Sequence, residues 1–263
     1  MKNTPTAKLL ISFFNIRKRI LMPENEFFLN ENDIRIYSIY LPDFADLKSD
    51  LAEYLNVKEL PLSSNLYMKM NHEFIIYRSI LKIILAAYSK LDAKKMEFDY
   101  HLYKKPYLAS KPWLHFNISH SEDYVVIAIS RRNLGIDIEY IAQDFPFTNL
   151  IPEVFEEREI IAIHNSKDKK RLFYSYWTRK EAFVKGLGTG INDNFKHIPC
   201  ADGEHIIDAA LSEDTKNWHV CNFNLSDHYM GAIACEFSSA FSKDIVIYTV
   251  PNDMNALRKM IND

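Results

Sequence analysis

Five side chains in two short segments have the types and spacing of a phosphate-and-metal site. Asp137 and Glu139 lie in Gly135-Ile136-Asp137-Ile138-Glu139; Trp177, Glu181 and Lys185 lie in Trp177-Thr178-Arg179-Lys180-Glu181-Ala182-Phe183-Val184-Lys185. Side chains alternate faces along a strand, so Asp137 and Glu139 project to one side while Ile136 and Ile138 turn to the other. Two carboxylates so placed can hold one hard cation. On a helix, positions 177, 181 and 185 fall at i, i+4 and i+8, stacking an aromatic ring, a carboxylate and an ammonium along one face. The third carboxylate thus comes with a cation of its own, the residue type that meets a phosphate bridged to magnesium. Taken singly these features are weak. An Asp-x-Glu is ordinary on an exposed strand edge, and Glu181 with Lys185 alone would be a surface pair contributing about 0.3–0.5 kcal/mol. A third segment upstream, Phe116-Asn117-Ile118-Ser119-His120-Ser121, gives the other two their meaning.

The elements that must position these residues are legible from periodicity. A first clear strand covers 34–40. Asn71 can cap a helix running to about residue 91, with Arg78 and Lys82 one turn apart on its only non-apolar face. Strand-like alternation returns over 96–103. Apolar runs over 113–118, 124–129 and 135–141 are joined by connections of hairpin length, which predicts an antiparallel meander. Helices follow over 152–164 and 168–185, the second ending before Gly186 and Gly188. Strands over 218–225, 229–237 and 245–250 complete the reading. Strands and helices segregated in this way favour an α+β fold, and six glycines without a Gly-x-Gly-x-x-Gly give no support for a dinucleotide fold. Residues 1–33 read as an extra helix or an arm.

At 263 residues and 48% hydrophobic composition the chain can bury a substantial core. A net charge of −3 gives no general attraction to nucleic acid or anionic membranes, so partner recognition must be local. Three cysteines without Cys-x-x-Cys spacing fit a reducing cytoplasm better than a disulfide framework. The apolar stretch 9–14 is followed by Arg17, Lys18 and Arg19, the reverse of a secretory signal, and the run 74–88 is too short to span a bilayer.

The order and wording of the segments resemble the phosphopantetheinyl transferases, in particular the surfactin-type branch. Lys105-Pro106-Tyr107, the Phe-Asn-Ile-Ser-His-Ser segment, the acidic strand, and the Trp-Thr-x-Lys-Glu-Ala-x-x-Lys helix with Gly188-Thr189-Gly190 after it stand in that family's order. The resemblance covers about residues 34–250 and is weakest before about 74. It implies an α+β fold of two pseudo-symmetric halves, each a small antiparallel sheet packed with helices, with the active site in the cleft between them. On that reading 34–134 form the nucleotide side of coenzyme A, 135–263 carry the metal ligands and catalytic helix, and 1–33 are an N-terminal extension.

The implied activity is transfer of the 4′-phosphopantetheine arm of coenzyme A to a serine of an acyl, peptidyl or aryl carrier protein, releasing adenosine 3′,5′-bisphosphate. By matching position, Asp137, Glu139 and Glu181 are expected to ligate magnesium, with manganese as the alternative. Glu181 is expected to accept the serine proton, directly or through water, and Lys185 to steady the pyrophosphate. Arg78, Lys105, Pro106, Ser119, His120 and Lys185 are expected to bind coenzyme A, with Arg78 and His120 at the 3′-phosphate and His120 in a turn after a strand. In place of the basic residues that this family often carries upstream of the first helix, the chain has Leu62-Ser63-Ser64-Asn65. Lys167, Lys169, Lys170 and Arg171 are the basic cluster nearest the active helix and a candidate carrier-docking face. With the charge and cysteine readings above, the expectation is a cytoplasmic monomer with no nucleic-acid or membrane partner. Two other readings compete: a metal-dependent nuclease, which would set Glu-x-Lys on a strand, and a catalytically weak homologue that binds coenzyme A or a carrier, which the intact Asp137, Glu139, Glu181 and Lys185 argue against.

Overall fold

The computed structural model describes residues 6–22, 27–56, 59, 68–208, 211, 216–237 and 245–261. The segment Leu62-Ser63-Ser64-Asn65 lies outside them. Apolar alternation decides the layering. In β3 (Ile34–Tyr40) and β7 (Tyr124–Ser130) both faces are apolar, as strands between two layers require. Tyr37, Ile39, Val125, Ile127 and Ile129 pack with α2 (Met68–Ser89). Ile36, Val126 and Ala128 turn the other way, onto Ile136 and Ile138 of β8 (Leu134–Tyr140). Beyond that inter-sheet core, Trp218 and Val220 of β10 (Trp218–Ser226) and Ala232 and Ala234 of β11 (Tyr229–Glu236) meet Ala182, Phe183 and Val184 of α5 (Lys169–Leu187). The order of layers is helix, sheet, sheet, helix.

One sheet has the order β2 (Ile16–Ile20), β12 (Ile245–Thr249), β3, β7, β6 (His115–Ser121). The other has the order β8, β11, β10, β1 (Thr6–Phe13), β9 (Gly203–Asp208). A short ribbon pairs β4 (Asp99–Tyr100) with β5 (Pro106–Tyr107). Among the described residues the remaining α-helices are α1 (Lys48–Ala52), α3 (Ile151–Val154), α4 (Glu157–Asn165) and α6 (Met254–Lys259). Two five-stranded sheets with helices make the α+β class that the sequence implies. The terminal strands add parallel pairs to antiparallel sheets: β1 beside β10, and β12 beside β2 and β3.

Several local expectations change, among them the strand expected over 96–103, which shortens to β4. Residues 6–20 are neither helix nor arm but strands: Ala7, Leu9 and Ile11 alternate inward along β1, and Arg17, Lys18 and Arg19 lie on β2, where charge guards an open sheet edge. The meander stops after two strands, because β8 leaves its neighbours and pairs with β11. The helix expected over 152–164 is broken at Phe155, which is extended and fully buried, and α4 restarts with a capping box between Glu156 and Glu159. The helix expected to follow an Asn71 cap already includes Met68, so Asn71 lies within the helix rather than at its cap.

Candidate active site

The edge strands β6 and β8 of the two sheets run side by side, joined by side chains rather than by a backbone ladder. Asn117 Oδ1 accepts the N–H of Ile136 at 2.8 Å, Ser119 Oγ that of Ile138 at 3.4 Å, and Ser121 Oγ that of Tyr140 at 3.0 Å. Period-two alternation puts these three acceptors on one face of β6, so a single strand face satisfies an otherwise open edge. The same serines hold the acidic strand's carboxylates: Ser119 donates to Asp137 Oδ1 at 2.9 Å and Ser121 to Glu139 Oε2 at 3.1 Å. His120 points away from this seam, within β6 and not in a turn, and its ring stacks on Tyr77 of α2 at 5.6 Å. The strand continues to Ser121, and the reversal falls at Glu122, whose φ is +46°.

Helix α5 crosses β8 at very close range. A Cβ on Gly135 would lie 2.1 Å from the Ala182 carbonyl oxygen and 2.2 Å from the Gly186 nitrogen. This approach brings the helix face carrying Trp177, Glu181 and Lys185 over the acidic strand. Trp177 Nε1 donates to Glu139 Oε1 at 3.3 Å; Lys185 Nζ donates to Asp137 Oδ1 at 2.6 Å and to Ser119 Oγ at 3.0 Å. The far side of the helix is anchored by residues that periodicity did not single out. Arg179 bonds Asn222, the Cys200 carbonyl and Asp202; Lys180, fully buried, pairs with Glu159 at 3.0 Å and donates to the Lys196 carbonyl. The only sequence signal for them was a pair of cations beside an apolar helix face.

The site is overloaded with negative charge. Burial, and then the neighbouring Asp137, push the Glu139 carboxyl up to about 7, and the same two causes push Glu181 up to about 7 against the pull of Lys185. Burial works to lower the Lys185 ammonium, but Asp137 overrides it and the net displacement is upward. Asp137 Oδ2 is buried without a hydrogen-bond partner among the described residues. An orphaned carboxylate oxygen beside two carboxyls that resist ionising is a donor set suited to a hard divalent cation. As they stand, however, no three His, Cys, Asp or Glu side chains among the described residues are gathered closely enough to hold one.

The other expected residues are placed around this cluster. Arg78 is almost wholly buried: Nε pairs with Glu59 at 3.0 Å, Nη2 donates to the Tyr100 hydroxyl at 2.6 Å, and the guanidinium lies over Phe98. Lys82 completes that group at 2.9 Å from Glu59. Lys105 Nζ donates to the carbonyls of Leu134 and Gly186, and burial lowers its ammonium to about 8. Lys105 and Pro106 also line a cavity of about 760 Å³ with Tyr103, His115, Asn133 and Gly188. At the opposite end of the seam Phe145, Phe173, Tyr174 and Trp177 line a smaller apolar cavity of about 220 Å³ that opens onto Ser121 and Glu139. Of the basic cluster, Lys170 bonds the Gln143 carbonyl and Arg171 that of Asp227, leaving Lys167 and Lys169 exposed.

A carboxylate-rich seam is thus crossed by a helical Glu and Lys, with a cavity toward each end. The sequence model of the 4′-phosphopantetheinyl transferase superfamily matches residues 133–234, which include β8 and α5. The chain is 31% identical over 170 residues to the 4′-phosphopantetheinyl transferase HetI of Nostoc, covering 62% of this chain and 72% of that protein. It is 25% identical over 223 residues to the 4′-phosphopantetheinyl transferase Sfp of Bacillus subtilis, covering 81% of this chain and 97% of that one. It is 30% identical over 162 residues to the 4′-phosphopantetheinyl transferase psf-1 of Bacillus pumilus, covering 59% and 67%. The chain belongs to the 4′-phosphopantetheinyl transferase superfamily.

Proposed function

We propose that this protein moves the 4′-phosphopantetheine arm of coenzyme A onto a serine of an acyl, peptidyl or aryl carrier protein, with adenosine 3′,5′-bisphosphate as the leaving product. The observation that carries the reading is the convergence of Asp137, Glu139, Glu181 and Lys185 at a seam between two cavities. Coenzyme A would lie along that seam. The larger cavity, lined by Lys105 and Pro106, takes the nucleotide end, and 34–134 form most of that side. Ser119, with His120 facing outward beside it, and Arg78, once released from Glu59, serve the phosphates. Residues 135–263 supply the carboxylates and the helix.

The reaction asks three things of these side chains. The carrier hydroxyl must be held near the phosphorus, which is mainly a matter of orientation. Its proton must be accepted, and Glu181, pushed up to about 7, has the basicity suited to a proton acceptor near neutral pH. Charge on the departing bisphosphate must be met, and Lys185 on the next turn of α5 stands ready to meet it. Magnesium, or manganese in its place, held by Asp137, Glu139 and Glu181, would neutralise charge across the pyrophosphate. Lys167 and Lys169, exposed just before and at the start of α5, would offer the positive charge that an acidic carrier seeks. The placement of the catalytic pair on a helix argues against the nuclease alternative. We take the protein to act as a cytoplasmic monomer; its three cysteines are free and buried, and no helix among the described residues is long and apolar enough to cross a membrane.

The test is incubation with coenzyme A, magnesium and a panel of apo carriers, read by intact mass. One carrier should gain a single phosphopantetheine group and its Ser→Ala variant none. Acyl-coenzyme A should serve equally, because the thiol lies at the far end of the arm from the reacting phosphorus. Metal-dependent cleavage of DNA by a preparation that labels no carrier would overturn the assignment.

A further inference from the structure

The Lys185 ammonium occupies the carboxylate that a divalent cation needs. It lies 2.6 Å from Asp137 Oδ1 and 3.0 Å from Ser119 Oγ, and Ser119 bonds the same Asp137 oxygen at 2.9 Å. A divalent cation held by Asp137 would have to compete with the ammonium and the serine hydroxyl for that oxygen. The remaining oxygen, Oδ2, is buried, and any cation reaching it would share one carboxylate with Lys185. Glu139 is likewise engaged, by Ser121 and Trp177. Asp137 is thus held in an ion pair with Lys185 and hydrogen-bonded to Ser119.

Resting on the coenzyme A reading above, we propose that Lys185 is a place-holding counter-ion. It keeps Asp137 neutralised while the site is unloaded, and the pyrophosphate of coenzyme A draws it off and exposes the metal site. Without a substrate anion, Lys185 has no better partner than Asp137, and a second cation must compete with it. With a pyrophosphate in the seam, the ammonium has a dianionic partner within its reach and Asp137 is released. Metal and coenzyme A therefore bind with positive coupling, and by thermodynamic reciprocity each tightens the other by the same factor. A preformed metal site would show no such dependence on Lys185.

Manganese titration of the full-length protein, followed by the electron paramagnetic resonance of free manganese, tests this without reference to transfer. In the absence of coenzyme A, Lys185→Met should bind manganese at least tenfold more tightly than wild type. Wild type should gain at least tenfold in manganese affinity when coenzyme A is added, and Lys185→Met should gain much less. Equal or weaker manganese binding by Lys185→Met would overturn the proposal. Should that variant fail to fold, the wild-type titrations decide alone: manganese affinity indifferent to coenzyme A would sink it. Tighter manganese binding by Lys185→Met without coenzyme A, alongside a wild type that labels no carrier, would leave this inference standing and remove the transferase reading.

Discussion

Glu181→Gln is expected to lower carrier labelling by roughly 10²–10⁴-fold, the range lost when a positioned general base is removed, and to do so while making the metal-free protein more stable at pH 8. Both halves follow from one displacement. Burial and Asp137 hold the folded-state Glu181 at about 7, above its ordinary value of 4.5. Between those values the folded protein binds more protons than the unfolded chain, so stability falls as pH rises through that window. Above about 7 the carboxylate is ionised in both states and the folded one carries the whole penalty. An uncharged amide of the same shape escapes it. The melting temperature of Glu181→Gln should therefore exceed that of wild type at pH 8 and approach it at pH 4.5, in EDTA. A variant that is both slower and less stable at pH 8 would mean that Glu181 is structural. One that labels carriers at the wild-type rate would remove it from the chemistry.

Gly135→Ala is expected to abolish the folded, active protein. Its added methyl meets backbone on both sides, the Ala182 carbonyl oxygen at 2.1 Å and the Gly186 nitrogen at 2.2 Å, so no side-chain rotation can make room. Ordinary overpacking costs roughly 1–3 kcal/mol because flexible neighbours yield; here a strand and a helix would have to separate. If they did, Glu181 and Lys185 would leave Asp137 and Glu139, so a protein that survived the change would still be inactive. Gly203→Ala is the control. Gly203 has φ +126° but nothing within 4 Å of the new atom, so it suffers backbone strain without a clash and far from the seam. Circular dichroism and labelling rate together decide the matter, and a Gly135→Ala protein with wild-type melting and rate would show that the close crossing is not what aligns the helix.

What the sequence reveals of this site depends on whether the information is local. Alternation alone separates Asp137 and Glu139 from Ile136 and Ile138 on opposite faces of β8; the fold turns the first pair to α5 and the second into the inter-sheet core. Helical spacing likewise brings Trp177 and Lys185 to one face. Partners far along the chain are another matter. Nothing near Arg78 announces that Glu59 and Tyr100 will claim it, and nothing near Lys105 points to carbonyls at Leu134 and Gly186. Period two also cannot tell a strand which sheet to join. It marked 135–141 as a strand but could not show that β8 would turn its back on β7 and take β11. In β1 the inward series Ala7, Leu9, Ile11 was present throughout, masked by the charges that follow it on β2.

The crossed placement of the terminal strands governs how the molecule can be made. Leu9 lies opposite Trp218, and Ile36 opposite Ile247, so each sheet contains a strand whose neighbour is synthesised some two hundred residues later. While the ribosome is still at work, β1 has no parallel partner and β3 lacks one of its two. Pairings this distant are slow to form, because the loop entropy is spent before the contacts repay it. The apolar side of β1 must stay out of other associations until the last strands emerge, which makes the nascent chain a natural client for a chaperone. For the same reason, a gene divided between residues 134 and 135 yields two pieces that each hold a strand belonging to the other's sheet, and they should recover structure only when produced together.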